Sequence, residues 1–124
     1  LLKKHLSFII FNFEKKNWEK KNLKYLDKNY RDRIRVYLFI EKGIIKDVIL
    51  QFESFIQGKW HPIVRYDCAH GFFHRDEMFP DGTKEKQVIE FNDLDAALTY
   101  AEQDLKDRWE YYKNRFLRGF KNDK

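Results

Sequence analysis

Between Val64 and Asp76 the chain reads Val64-Arg65-Tyr66-Asp67-Cys68-Ala69-His70-Gly71-Phe72-Phe73-His74-Arg75-Asp76. This segment holds two histidines, two aspartates, two arginines, a tyrosine and the only cysteine of the protein. Three chemistries could use that set. In metal-free phosphodiester cleavage, an imidazole that titrates near neutrality moves the proton of a 2′-hydroxyl or a leaving group. A guanidinium neutralises the phosphate. His70 and His74 are then the acid/base candidates, Asp67 orients an imidazole, and Arg65 or Arg75 holds the phosphate. In a metal site, Asp67, His70, His74 and Asp76 would supply mixed N/O ligands of the kind that suits Zn, Mn or Fe. Their spacing matches no established metal motif. In cysteine nucleophilic catalysis, Cys68 would pair with His70, two residues away.

The same residues also have structural uses. Aspartate before a glycine turn commonly caps it, which is a sufficient role for Asp67. His74 and Arg75 can make cross-strand bonds, and a lone cysteine is most often a small buried hydrophobe. His5 and His61 are isolated in the sequence and read as exposed.

These groups meet only if the elements around them bring them together. Ile34, Val36, Leu38 and Ile40 alternate with Arg33, Arg35, Tyr37 and Phe39, a period of two that argues a strand. Lys42-Gly43 supplies a turn, where glycine tolerates positive φ. Val48 to Ile56 is a second strand, Gln57-Gly58-Lys59 a second turn, and Trp60 to Asp67 a third strand. Pro62 within it predicts an edge or a bulge. After Ala69-His70-Gly71, a fourth strand spans Phe72 to Phe79. Pro80-Asp81-Gly82 is a strong turn signal, and Thr83 to Phe91 completes a meander. Strand parity puts Arg65 with Asp67 on one face and His74 with Asp76 on one face, leaving Phe73, Arg75 and Glu77 on the other. Pairing around Gly71 would let Asp67 and His70 approach His74.

Asn92 reads as the N-cap of a helix over about 93–118, with Asp95 in its first turn favouring the positive helix start. Leu94, Leu98, Ala101, Leu105, Trp109, Tyr112 and Phe116 recur at spacings of three and four, which makes a core-facing stripe. Gly119 is the expected stop. A one-sided sheet and a one-sided helix cover each other, so the expected fold is α+β: an antiparallel meander of about five strands on a long C-terminal helix. Residues 32–124 form the expected domain and residues 1–31 a basic arm. Within the arm, Leu6 to Phe13 suggests a strand. Asn17 to Tyr30 suggests a Lys-rich helix with Trp18, Leu23, Leu26 and Tyr30 on one side.

The 124 residues suit one domain with its own core. One cysteine excludes an internal disulfide and suits a reducing, cytoplasmic setting. No apolar run approaches the ~20 residues that span a bilayer, so no membrane partner is expected. Leu6 to Phe11 is short for a signal-peptide core and lacks a small-residue cleavage site. Abundant Lys, Glu and Ile with few Gln and Met resembles thermophile composition. The net charge of +5 is uneven: residues 1–31 hold nine Lys/Arg against three Asp/Glu, and the remainder 16 against 17. Such a field attracts phosphate backbones. Lys15, Lys16, Lys20, Lys21, Arg31, Arg33 and Arg35 are the phosphate-binding candidates, with Trp18 and Tyr25 available to stack on bases. Phe8, Ile10 and Phe11 form a sticky segment that a homodimer contact would cover.

The run Val64-Arg65-Tyr66-Asp67, then Gly71, then His74-Arg75-Asp76, between a hairpin and a C-terminal helix, resembles the TumE-like toxins of prokaryotic toxin–antitoxin pairs, and also related small prokaryotic domains of unassigned role. The resemblance spans roughly residues 33–105. It implies a small toxin that acts on RNA and is neutralised by an antitoxin with a DNA-binding helix-turn-helix. It also carries functional suspicion onto Tyr66, Asp67, His74 and Asp76. Arg75-Asp76 stands where that family places another histidine, and the Lys-rich arm is extra. The leading expectation is therefore a toxin-like endoribonuclease that needs no metal or cofactor, with Asp67, His70, His74 and Asp76 catalytic and Arg65, Tyr66 and Arg75 contacting RNA. The alternative is a non-catalytic module that binds nucleic acid or a protein partner.

Overall fold

The structure, a computed structural model, describes residues 20–68 and 71–122. Six strands follow one another: β1 (Lys20–Tyr25), β2 (Asp32–Glu41), β3 (Ile44–Ile56), β4 (Lys59–Asp67), β5 (His74–Met78) and β6 (Lys84–Val88). A single long helix, α1 (Leu94–Asn122), closes the described chain. The sheet order is β1-β2-β3-β4-β5-β6, every neighbour antiparallel, so the α+β meander on a C-terminal helix is the observed architecture.

Local chemistry accounts for the turns. Lys42 and Gly43, then Gln57 and Gly58, all have positive φ. Two left-handed residues in succession make the two-residue hairpin whose twist matches the flanking strands. Pro62 marks a bulge and not an edge: pairing runs Phe52↔Val64 and then Glu53↔Pro62, so Ile63 is the extra residue, and β4 lies inside the sheet.

Three expectations about the elements change. Residues 20–25 are a strand and not a helix. β1 pairs with β2 from Lys20↔Leu38 to Tyr25↔Arg33, which satisfies a row of β2 backbone groups that an edge would expose. The sheet therefore begins before residue 32. The helix cap is Asp93 and not Asn92, because Asp93 Oδ1 accepts the Ala96 N–H at 2.8 Å. Gly119 does not stop the helix, which continues to Asn122. A Cβ at Gly119 would lie 2.7 Å from Pro80 Cδ, so glycine is there to let the turn before β6 approach the helix. Alanine is the better helix former by ~1 kcal/mol. The rigid proline ring outweighs that gain, and Gly119→Ala should still lower stability by about 1 kcal/mol in urea unfolding. A stabilised variant would show that the Pro80 turn yields freely.

The core lies between α1 and one sheet face. Ile34, Val36 and Leu38 of β2 pair with Phe52, Leu50 and Val48 of β3, and all six are buried. Val64 and Tyr66 extend the layer on β4, and Ala97, Ala101, Leu105, Tyr112 and Phe116 cover it from the helix. Leu94, Leu98 and Trp109 pack at its margin. His61 is half-buried and not exposed, with its ring against Phe116 and Phe120. Burial holds the His61 pKa below the ordinary histidine value. Among the described residues no helix is long and apolar enough to cross a membrane.

Candidate functional site

The second sheet face, opposite α1, is polar. Parity and register bring Lys21 of β1, Arg33 and Arg35 of β2, Asp47, Gln51 and Glu53 of β3, Arg65 and Asp67 of β4, His74 and Asp76 of β5, and Lys86 of β6 to this side. Lys84 reaches it too, with Nζ 3.7 Å from Asp76 Oδ2. Five of these groups are nevertheless withdrawn from solvent: Gln51, Glu53, Arg65, His74 and Asp76 are all buried. A buried charge requires partners, so the pairings define the site.

At one end, Glu53 Oε1 accepts from Arg33 Nε at 2.8 Å and Arg35 Nε at 2.9 Å, while its Oε2 accepts from Gln51 Nε2 at 2.7 Å. The Arg33 guanidinium also stacks on Trp60, 3.6 Å from the ring centroid. At the other end, cross-strand pairing sets Asp67 opposite His74 and Arg65 opposite Asp76. His74 Nε2 lies 2.9 Å from Asp67 Oδ1 and 3.8 Å from Asp76 Oδ2, and His74 Nδ1 lies 3.2 Å from the Phe72 carbonyl oxygen. Arg65 Nε is 3.7 Å from Asp67 Oδ2. Burial pulls the Arg65 guanidinium below its ordinary pKa, against the attraction of Asp67, Asp76 and Glu53.

The structure thus joins Asp67, His74 and Asp76 and sets Arg65 beside them. His70, Lys15, Lys16, Trp18 and the segment from Leu6 to Phe13 lie outside the described residues. Lys20 opens β1, and Lys21 is exposed on it. Cys68 is half-buried at the margin of the core.

Tyr66 and Arg75 belong to the opposite face. Tyr66 is fully buried, stacks on Phe73, and donates its hydroxyl to Asp104 Oδ2 at 2.6 Å. A ring so placed cannot stack on a base, so its expected RNA contact is replaced by a core role. Arg75 bonds the Tyr66 hydroxyl at 3.3 Å and lies 3.7 Å from Asp104. It lines a cleft of about 390 Å³ with Glu77, Glu85, Arg108, Tyr111, Tyr112 and Arg115. Sequence reading missed Glu53, Gln51 and Lys84, which complete the polar face. Parity within β3 and β6 was the available signal for them.

The arrangement can hold an anion against its cations, move a proton through His74 and Asp67, or gather a cation among three ligand atoms. No curated protein and no solved structure matches the chain. Residues 14–122 match a domain of unknown function, DUF7718, and the chain belongs to that family.

Proposed function

We propose that the protein acts on RNA through the polar face of its sheet. One observation carries this reading: six basic residues, Lys21, Arg33, Arg35, Arg65, Lys84 and Lys86, share that face with the carboxylates of Asp47, Glu53, Asp67 and Asp76. Stability alone would favour an apolar layer there, since buried ion pairs seldom outperform packed hydrophobes. The excess of cations suits a phosphate backbone. The Asp67–His74–Asp76 cluster supplies groups for phosphodiester chemistry at one end of the face. The resemblance to TumE-like toxins supports the same reading and adds an antitoxin as partner.

Anisotropy of a labelled single-stranded RNA, followed across a salt series, tests the binding. Each phosphate neutralised contributes a slope of about −0.7 in log K against log salt for single strands. Lys21→Gln, Arg35→Gln and Lys86→Gln together should lower the magnitude of the slope by about 2. His74→Ala should retain binding and lose both RNA turnover and growth inhibition on expression. Binding that ignores salt, or is absent, sinks the reading. Binding without turnover in the wild type would leave a non-catalytic module.

A further inference from the structure

We infer that Asp67, His74 and Asp76 form a binding site for a divalent first-row transition-metal cation. One ligand atom from each residue, all mutually within 4.8 Å, converges on the same point of the polar face. The contacts of His74 make the case specific. Nδ1 faces the Phe72 carbonyl at 3.2 Å, and a carbonyl oxygen only accepts, so Nδ1 carries the hydrogen. In the neutral ring the Nε2 lone pair then points at the Asp67 carboxylate, 2.9 Å away. Acceptor faces acceptor, and a cation between them resolves the conflict. A histidine that donates one ring N–H to a backbone carbonyl and offers the other nitrogen is the usual metal-ligand arrangement.

A proton on Nε2 would satisfy Asp67 equally well, and Asp76 separates the two cases. Asp76 is 4% exposed, and its Oδ1 is buried without a hydrogen-bond partner. Its Oδ2 has Lys84 and His74 at 3.7 and 3.8 Å, both beyond hydrogen-bonding distance, and the Arg65 guanidinium attracts the carboxylate from the neighbouring strand. Buried carboxylate oxygens are almost always satisfied, so this one points to a missing positive partner. A proton on His74 leaves Oδ1 orphaned, whereas a metal ion held through Oδ1, or through both carboxylate oxygens of Asp76, does not.

The donor set is one imidazole and two carboxylates, which suits Mn, Fe or Zn better than Mg, a cation that prefers oxygen and holds its waters. Three protein ligands leave further positions for water or a phosphate oxygen. The cation's use on a phosphodiester, through activation of a bound water, rests on the reading above. The site itself does not.

The test uses the full chain stripped with chelator, without RNA. Titration with Mn²⁺, followed by calorimetry and by the loss of free-ion electron paramagnetic resonance signal, should give one saturable equivalent per chain. Mn²⁺ should also raise the melting temperature by mass action. Asp76→Asn and His74→Ala should each weaken binding tenfold or more, whereas Glu110→Gln on the exposed helix side should not. If Asp76→Asn fails to fold, the wild-type titration and the selective broadening of the His74 ring resonances by Mn²⁺ decide instead. No saturable binding, or binding indifferent to His74→Ala, overturns the site. Stoichiometric binding with no RNA turnover keeps the site and removes the ribonuclease reading.

Discussion

Asp104→Ala should cost the protein about 3–5 kcal/mol of stability, the largest effect expected of any single polar substitution. Tyr66 and Tyr112 both donate to the same oxygen of Asp104, each at 2.6 Å, and both rings are 2% exposed or less. Hydrogen bonds to a charged acceptor contribute roughly 1.5–3 kcal/mol each, and removing the acceptor leaves two buried O–H donors without an acceptor. The Arg75 guanidinium, 3.7 Å from the carboxylate, loses its counter-charge as well. The three groups act as one network, so the losses sum to less than their separate values. Against a total of about 5–15 kcal/mol for a domain of this kind, the midpoint of urea unfolding should fall by a third or more. Asp104→Asn keeps an acceptor of similar shape and should lose about half as much. A loss below about 1 kcal/mol for the alanine variant would mean that water replaces the carboxylate and the triad is not buried in solution.

The same triad makes stability depend on alkaline pH. Burial first, and then the bond to Asp104, push both tyrosine hydroxyls above their ordinary pKa. Tyrosines in the unfolded chain ionise near ~10, whereas the folded pair keeps its protons, so above that pH the unfolded state binds fewer protons. The contribution is complete below ~10 and declines as pH rises further. Unfolding midpoints compared at pH 8 and about 11 should show the decline, and Tyr66→Phe with Tyr112→Phe should flatten it. A slope unchanged in that double variant would place the alkaline sensitivity elsewhere.

Much of this fold was legible in the residues, for a physical reason. β2 to β6 alternate with period two or are bounded by glycine turns, and both signals are local. β1 failed because its apolar residues, Leu23 and Tyr25, remain 41% exposed. It is a strand because β2 offers it an edge, and no local pattern records that. Gly119 looked like a stop because the reason for a glycine, the Pro80 ring, lies nearly forty positions away. Asp104 occupies the buried helix stripe beside Leu105, and a carboxylate at such a position already implies a donor. That the donors are Tyr66 and Tyr112 needed coordinates. At the candidate site, parity put Asp67 near His74 and set Arg75 on the other face. Tyr66 was misassigned to RNA because its neighbours in sequence, Arg65 and Asp67, point away from it in space.

Glu53→Gln should move stability and RNA affinity in opposite directions, and that divergence is the sharpest test of whether the polar face is functional. Glu53 is the hub of its end of the face, joined to Arg33, Arg35 and Gln51, with its side chain 9% exposed and that of Arg33 12%. Glutamine keeps the shape and a carbonyl acceptor but removes the charge, leaving two guanidiniums without their counter-ion. Removing one partner of a buried pair costs about 3–5 kcal/mol when nothing replaces it. Arg35 is 37% exposed and Arg33 keeps Trp60, so relief by water and by the ring should hold the loss to about 2–3 kcal/mol. The charges released are the ones assigned to phosphate. At low salt the variant should therefore bind single-stranded RNA several-fold more tightly, with a salt slope steeper by about 1.4 for two newly available contacts. Urea unfolding and anisotropy on the same preparation measure both quantities. A variant that loses stability and gains no affinity would show the arginine pair to be bracing between β2 and β3, and RNA recognition would then have to come from Lys21, Arg65, Lys84 and Lys86.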